Sequence, residues 1–222
     1  MNFSAEGFSL VWLASGFVLL LSAVIWSIVK APWSKLTSDS ESQHVFIGTT
    51  MVLVIVWLGE ASLNPGMGFH ILLLTTVTLM FGPQFAILSG LIALISVTLI
   101  KGGSWLAFGL SGSVLIVLPV LLVWFFTLLS YRYLEKNFFI FILFNGFFVA
   151  ALSTILVLFT SAAVLYYAGV YPIEKLSYEF LPYIPIMVFP EAFMNGLAVV
   201  SLVVMKPEWL SCFDDGVYLK GK

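Results

Sequence analysis

Apolar positions run along this chain in long blocks, and polar residues collect in the short gaps between them. Blocks near 8–29, 45–63, 69–82, 84–100, 105–130, 138–168 and 181–205 each read as a membrane-crossing helix, because about twenty apolar residues at ~1.5 Å per residue match a hydrocarbon layer of ~30 Å. The third block is short: residues 69–82 rise only about 21 Å as a helix. It ends at Gly82-Pro83, the sharpest helix breaker in the apolar region. Residues 69–100 are therefore either two helices meeting in a tight turn or one long kinked helix.

Positive charge separates these alternatives. With a turn at Gly82-Pro83 and the N-terminus outside, Lys30, Lys35, Arg132, Lys136, Lys206, Lys220 and Lys222 fall inside, and Lys101 and Lys175 outside, seven against two. One kinked helix inverts every later segment and gives at best five against four. The bias of cations toward the cytoplasm predicts an all-α, polytopic membrane protein with seven transmembrane helices, N-terminus outside and C-terminus cytoplasmic. Trp12, Trp33, Trp57, Trp105 and Trp209 lie near the proposed span ends, where interfacial tryptophans are expected.

Composition agrees. At 61% hydrophobic and 9% charged residues, the chain is too apolar for a soluble enzyme, and 222 residues of this pattern leave no length for a soluble domain. One membrane domain, 1–222, is expected. No basic stripe suggests nucleic acid as a partner. Cys212 is the single cysteine, so it has no disulfide or zinc partner. The segment MNFSAEGF lacks the positive start of a secretory signal, so the first apolar run is expected to stay attached as a span.

Small residues recur on one face of three helices: Ala86, Gly90 and Ala93; Gly109 and Gly112; Gly146, Ala150 and Thr154. They let helix backbones approach closely, most simply within the molecule. No repeat suggests the inverted halves of a secondary transporter.

Ionisable groups inside a bilayer are costly enough to mark functional positions. Four are expected in the outer half of the bundle: Glu6 before helix one, Glu60 at the end of helix two, His70 at the start of helix three, and Glu191 midway along helix seven. Glu6 and Glu60 also fit surface positions facing water. Asn195 lies one turn beyond Glu191, so the two would form a polar patch facing inward, as a site or as packing glue. His44, beside the linker SKLTSDSESQ, reads as an interfacial residue with no site. Taken alone, His70 reads either as an interfacial imidazole satisfied by a loop carbonyl or as a ligand for cobalt, nickel, copper or zinc.

The stretch HILLLTTVTLMFGP from His70 to Pro83, then AILSGLIALISVTLI and KGGSWLAFGLS, with Glu6-Gly7-Phe8 near the start and PEAFMNGLAVVSLVVMKPEWL near the end, resembles the substrate-specific membrane component of cobalt and nickel energy-coupling factor transporters, the CbiM/NikM type. The resemblance covers nearly the whole chain in order. It implies a seven-helix permease of the cell (inner) membrane that takes up a divalent metal of the cobalt or nickel class. It further implies that the N-terminus folds into the bundle from outside, where the terminal amine, a second-position histidine and the helix-three histidine bind the metal in a square plane. Carried to this chain, the metal ligands are Met1 through its amine, Asn2 and His70, with Glu6, Glu60, Glu191 and Asn195 as supporting groups around the site or along the path of the metal. The sequence departs from the pattern in having Asn2 in place of histidine, and Ser111 where the family motif has asparagine.

The chain has no phosphate-cradling G-x-x-x-x-G-K-[ST] loop. It is expected to be a transport component rather than an enzyme, with no covalently bound cofactor. The resemblance implies a membrane coupling (T) subunit and cytoplasmic ATPase subunits as partners. Two alternatives stand beside this reading. The same scaffold would carry a small organic micronutrient, in which case His70 should turn away from an apolar pocket. Alternatively, Gly109-Leu110-Ser111-Gly112 matches the Gly-x-Ser-Gly pattern of rhomboid-type intramembrane proteases, which requires a Ser111–His70 dyad.

Overall fold

The computed structural model describes residues 2–37, 39–62, 64–213 and Tyr218. Met1, Lys220 and Lys222, which entered the expected ligand set and the charge count, lie outside the described residues. Among the described residues, the regular structure is helical apart from one two-stranded hairpin. Its elements are α1 (Leu10–Lys30), a short α2 (Trp33–Thr37), α3 (Ser40–Leu58), β1 (Ala61–Ser62), β2 (Gly68–Phe69), α4 (Leu74–Lys101), α5 (Phe108–Tyr133), α6 (Phe138–Tyr167), a short α7 (Ile173–Glu179) and α8 (Ile184–Met205).

Local chemistry sets the boundaries. Asp39 opens α3 by accepting the N–H groups of Glu41 and Ser42 at 3.1 and 3.0 Å, which satisfies donors that a helix start leaves free. Gly102, in the left-handed region at φ 68, closes α4. Inside α4, Gly82 has φ 80 and ψ 172, a combination open essentially to glycine. As one rod the 28 residues of α4 would extend about 42 Å. Yet Lys101 at its end lies 3.4 Å from Glu60, which also acts electrostatically on His70, just before its beginning. Residues 74–81 and 83–101 are thus the two arms of a hairpin within one of six helical stretches that are long and apolar enough to cross a membrane. The first arm is short, since eight residues rise only ~12 Å, and residues 70–73 before it are not helical. The helix expected from 69 begins at Leu74.

Two ends of the bundle follow. At one end, the leader (residues 2–9) meets the loop 59–73 and the start of α5, and the turn after α6 joins them: Phe3 bonds Ser111, Asn2 bonds Glu60, and Tyr171 Oη donates to Pro65 O at 3.0 Å. At the far end the Gly82 turn packs on the chain's later residues: Ser211 N–H donates to Met80 O at 3.0 Å, and Trp209 Nε1 donates to Glu41.

The small-residue faces are consumed inside the molecule. α1 and α5 cross where Gly16 and Gly109 leave no side chain: a Cβ on Gly16 would stand 2.5 Å from the Leu110 backbone, and one on Gly109 2.5 Å from the backbone of Phe17. In lipid, where helix faces gain nothing from excluding water, such close approach supplies dispersion contact that holds helices together. Gly90 meets Ile116 and Gly146 meets Val199 in the same way. Trp57, expected at the interface, is instead only 1% exposed. Its indole N–H donates to Leu72 O at 3.0 Å, because the loop carrying His70 folds over it.

Candidate metal site

The hairpin of β1 and β2 positions the first pair of functional groups. Its antiparallel register sets Ala61 opposite Phe69 and Ser62 opposite Gly68, and one further step along the same register brings Glu60 opposite His70. His70 is 3% exposed. Its ring lies against Trp57, centroid to centroid 5.0 Å. Nδ1–H donates to the Ile71 carbonyl at 3.3 Å, which leaves the lone pair on Nε2. That Nε2 is buried and has no hydrogen-bond partner among the described residues. A buried imidazole nitrogen without a proton and without a donor is a Lewis base waiting for an acceptor.

The leader is seated by two further bonds. Phe3 is 2% exposed, and its N–H donates to Ser111 Oγ at 2.9 Å. The Asn2 N–H donates to Glu60 Oε1 at 3.5 Å, while Glu60 Oε2 faces Lys101 at 3.4 Å. The amide oxygen of Asn2, like Nε2 of His70, is buried without a partner among the described residues. Two acceptors on segments tied to Glu60 are thus left without a donor there.

Both titratable groups here lie in the loop between α3 and α4, outside the helical spans. Burial, reinforced by nearby positive charge, pushes His70 down to about 3 against the pull of Glu60. For Glu60, burial acts upward, but the surrounding positive charge, including Lys101, prevails and holds it at about 2. The imidazole is thus neutral and the carboxylate ionised, the states in which each serves a cation.

Glu191 and Asn195 come from α8 and reach the other side of the same loop. Glu191 Oε2 accepts the Leu72 N–H at 2.6 Å, and Oε1 accepts the Leu73 N–H at 2.8 Å. Asn195 Nδ2 donates to Glu191 Oε1 at 2.7 Å, and its Oδ1 accepts both the N–H and the hydroxyl of Thr76, at 2.9 and 2.8 Å. Leu73 between them has φ 54, the single non-glycine residue at positive φ among those described. That conformation costs an L-residue roughly 1–2 kcal/mol and persists only where its surroundings impose it.

Of the expected groups, the fold therefore gathers Asn2, Glu60 and His70, and joins Glu191 and Asn195 to them through the backbone after His70. Glu6 is not gathered in. It is exposed, on a leader turn where its N–H bonds Ser4 Oγ, and it borders a separate cavity of about 240 Å³ with Gly66 and Tyr171. The metal-site reading of the sequence gave Trp57 and Ser111 no role in the site: Trp57 stood as an interface anchor, and Ser111 as a candidate nucleophile and as the residue in place of the family motif's asparagine. Ser111 accepts the leader's N–H, and with Nε2 of His70 unpartnered no Ser111–His70 dyad forms. Among the described residues, no three His, Cys, Asp or Glu side chains cluster for a metal.

A bundle of apolar helices with the leader bonded into one end beside a buried imidazole fits a membrane transport component. The family described as CbiM, the cobalt uptake substrate-specific transmembrane region, matches residues 2–209, and the chain belongs to it. It is a multi-pass membrane protein and the substrate-specific component of a cobalt/nickel-class energy-coupling factor transporter. A solved structure described as a truncated transition metal transporter shares the fold, with a TM-score of 0.74 over 92% of this chain and 99% of that one, at 15% identity. A search of the curated proteins gives no match.

Proposed function

We propose that this protein captures a divalent metal of the cobalt or nickel class on the outer side of the membrane, using Nε2 of His70 as its principal side-chain ligand. Asn2, through its amide or backbone, and the amine of Met1 complete the coordination, and Glu60 balances the charge of the ion. The reading rests on one observation: the buried Nε2 carries a lone pair that no donor among the described residues takes up. Neutral imidazole is a ligand that cobalt, nickel and copper all accept.

The leader end faces outward and the C-terminus lies in the cytoplasm. Lys101 and Lys175 belong to the leader end, while Lys30, Lys35, Arg132, Lys136 and Lys206 belong to the far end, the asymmetry that the positive-inside bias produces. With no phosphate-binding loop of its own, the chain works with a membrane coupling subunit and cytoplasmic ATPases.

Purification of the chain with its N-terminus intact, followed by elemental analysis after exposure to cobalt(II) or nickel(II), tests the site. Stoichiometric metal on the wild type and its loss in His70→Ala is the expected result. Equal metal on both proteins removes His70 from the site.

A further inference from the structure

The strained turn after His70 is held almost wholly from α8. Leu73 sits at φ 54, and both N–H groups flanking the Leu72–Leu73 peptide unit's corner, those of Leu72 and Leu73, end on the two oxygens of the single carboxylate of Glu191. Asn195, one turn further along α8, braces that carboxylate and takes the N–H and hydroxyl of Thr76. The Asn195 amide also returns to the Glu191 carbonyl at 2.8 Å, so the pair is fixed to its own helix. Glu191 is 2% and Asn195 0% exposed. A leucine at a helix start offers no side-chain cap, and none is made by Leu73. Residues on another helix supply the cap instead.

Resting on the metal-site reading above, we propose that Glu191 and Asn195 are positioning residues of the metal site and that α8 is the lever of release. Their clasp imposes the turn at Leu73 and thereby aims Nε2 of His70 toward the leader. Trp57 secures the opposite side of the same peptide unit, through its bond to Leu72 O, but it belongs to α3. A shift of α8 against α3 therefore pulls the Leu72 and Leu73 N–H groups away from a carbonyl that stays behind. The turn then relaxes to ordinary backbone angles, His70 swings, and the metal loses its imidazole. Neither residue touches the metal.

The test compares cobalt(II) affinity, and the visible absorption of bound cobalt, in the full chain carrying Glu191→Gln, Thr76→Val, Leu73→Gly, or Glu191→Gln with Leu73→Gly. Glutamine presents an amide N–H where one of the three donors now lands, so Glu191→Gln should weaken binding about tenfold, as loss of a group that orients a ligand commonly does, with a shifted absorption band. Thr76→Val removes only the hydroxyl bond to Asn195 and should give a smaller loss in the same direction, a variant that keeps the carboxylate if Glu191→Gln does not fold. Glycine takes φ 54 without strain, so Leu73→Gly alone should bind nearly as wild type, and combined with Glu191→Gln it should recover most of the lost affinity. A purely structural role for Glu191 predicts no such rescue. Wild-type affinity in both Glu191→Gln and Thr76→Val, or a loss in Glu191→Gln that Leu73→Gly leaves unchanged, overturns the proposal while the His70 site stands. Absence of cobalt from the wild type itself overturns both.

Discussion

Ser111 Oγ accepts the N–H of Phe3 at 2.9 Å, a buried bond between residues 108 positions apart. It ties the leader to α5 at the helix where α1 also packs most closely. The bond explains why a serine with the local pattern of a nucleophile is instead an anchor.

Ser111→Ala should leave the Phe3 N–H buried and unpaired. An orphaned donor of this kind costs about 1–3 kcal/mol. Because that cost falls on the leader rather than on the bundle, metal retention should drop and the leader should become accessible to aminopeptidase, with little change in the helical unfolding midpoint. Mass spectrometry of the N-terminus after protease treatment reads the first effect, and thermal unfolding in detergent the second. An unaltered, protected leader would count against the anchoring role.

Gly109→Val should disrupt the α1–α5 crossing. Its Cβ alone would fall 2.5 Å from the backbone of Phe17, a clash that no rotamer relieves, and overpacking of this kind costs about 1–3 kcal/mol or more. Gly48→Ala on α3 is the contrasting case, with nothing within 4 Å of the new Cβ, and should be neutral or slightly stabilising through helix propensity. Yield of monodisperse protein and the unfolding midpoint separate the two.

Lys101→Met should have a small effect on folding. Its pair with Glu60 is 32% exposed on the lysine side, and partly exposed ion pairs contribute only about 0–1 kcal/mol. Removing a cation beside Glu60 should nevertheless raise the carboxylate's pKa and favour an incoming metal. Cobalt affinity is therefore expected to stay equal or rise while the unfolding midpoint moves little.

Acid should weaken the fold through the same loop. His70 is held down to about 3 from 6.5, so between those values the unfolded chain takes up a proton that the folded chain refuses, and stability falls as pH falls. Glu60, held at about 2 from 4.5, adds stability that is present above 4.5 and lost as pH drops toward 2. Both act in one direction. Equilibrium unfolding followed from neutral pH into this range should show declining stability, and the decline should be shallower in His70→Ala because one of the two proton-linked groups is gone.

Much of this was legible in the residues. The apolar blocks gave the passes, Gly82-Pro83 the reversal inside α4, and the small-residue stripes the internal crossings, because each depends on local pattern or on a conformation that few residues adopt. His70 and Glu191 stood out because a bilayer makes ionisable groups expensive. Less legible were the groups whose role depends on a distant partner. Trp57 looked interfacial, Glu6 fitted either the inner cluster or the water-facing surface, and Ser111 carried the local pattern of a nucleophile. In each case the sequence shows the side chain and conceals its neighbour.

Length, hydrophobicity and breaker positions alone determined that this chain crosses the membrane in a helical bundle, since hydrocarbon leaves backbone groups few other ways to be satisfied. Only the tertiary structure decided which polar atoms end up paired. Whether Nε2 of His70 is left free, and whether a carboxylate 121 positions later fixes the turn that aims it, follows from how α3, α5 and α8 pack around one loop, and no local periodicity encodes that arrangement.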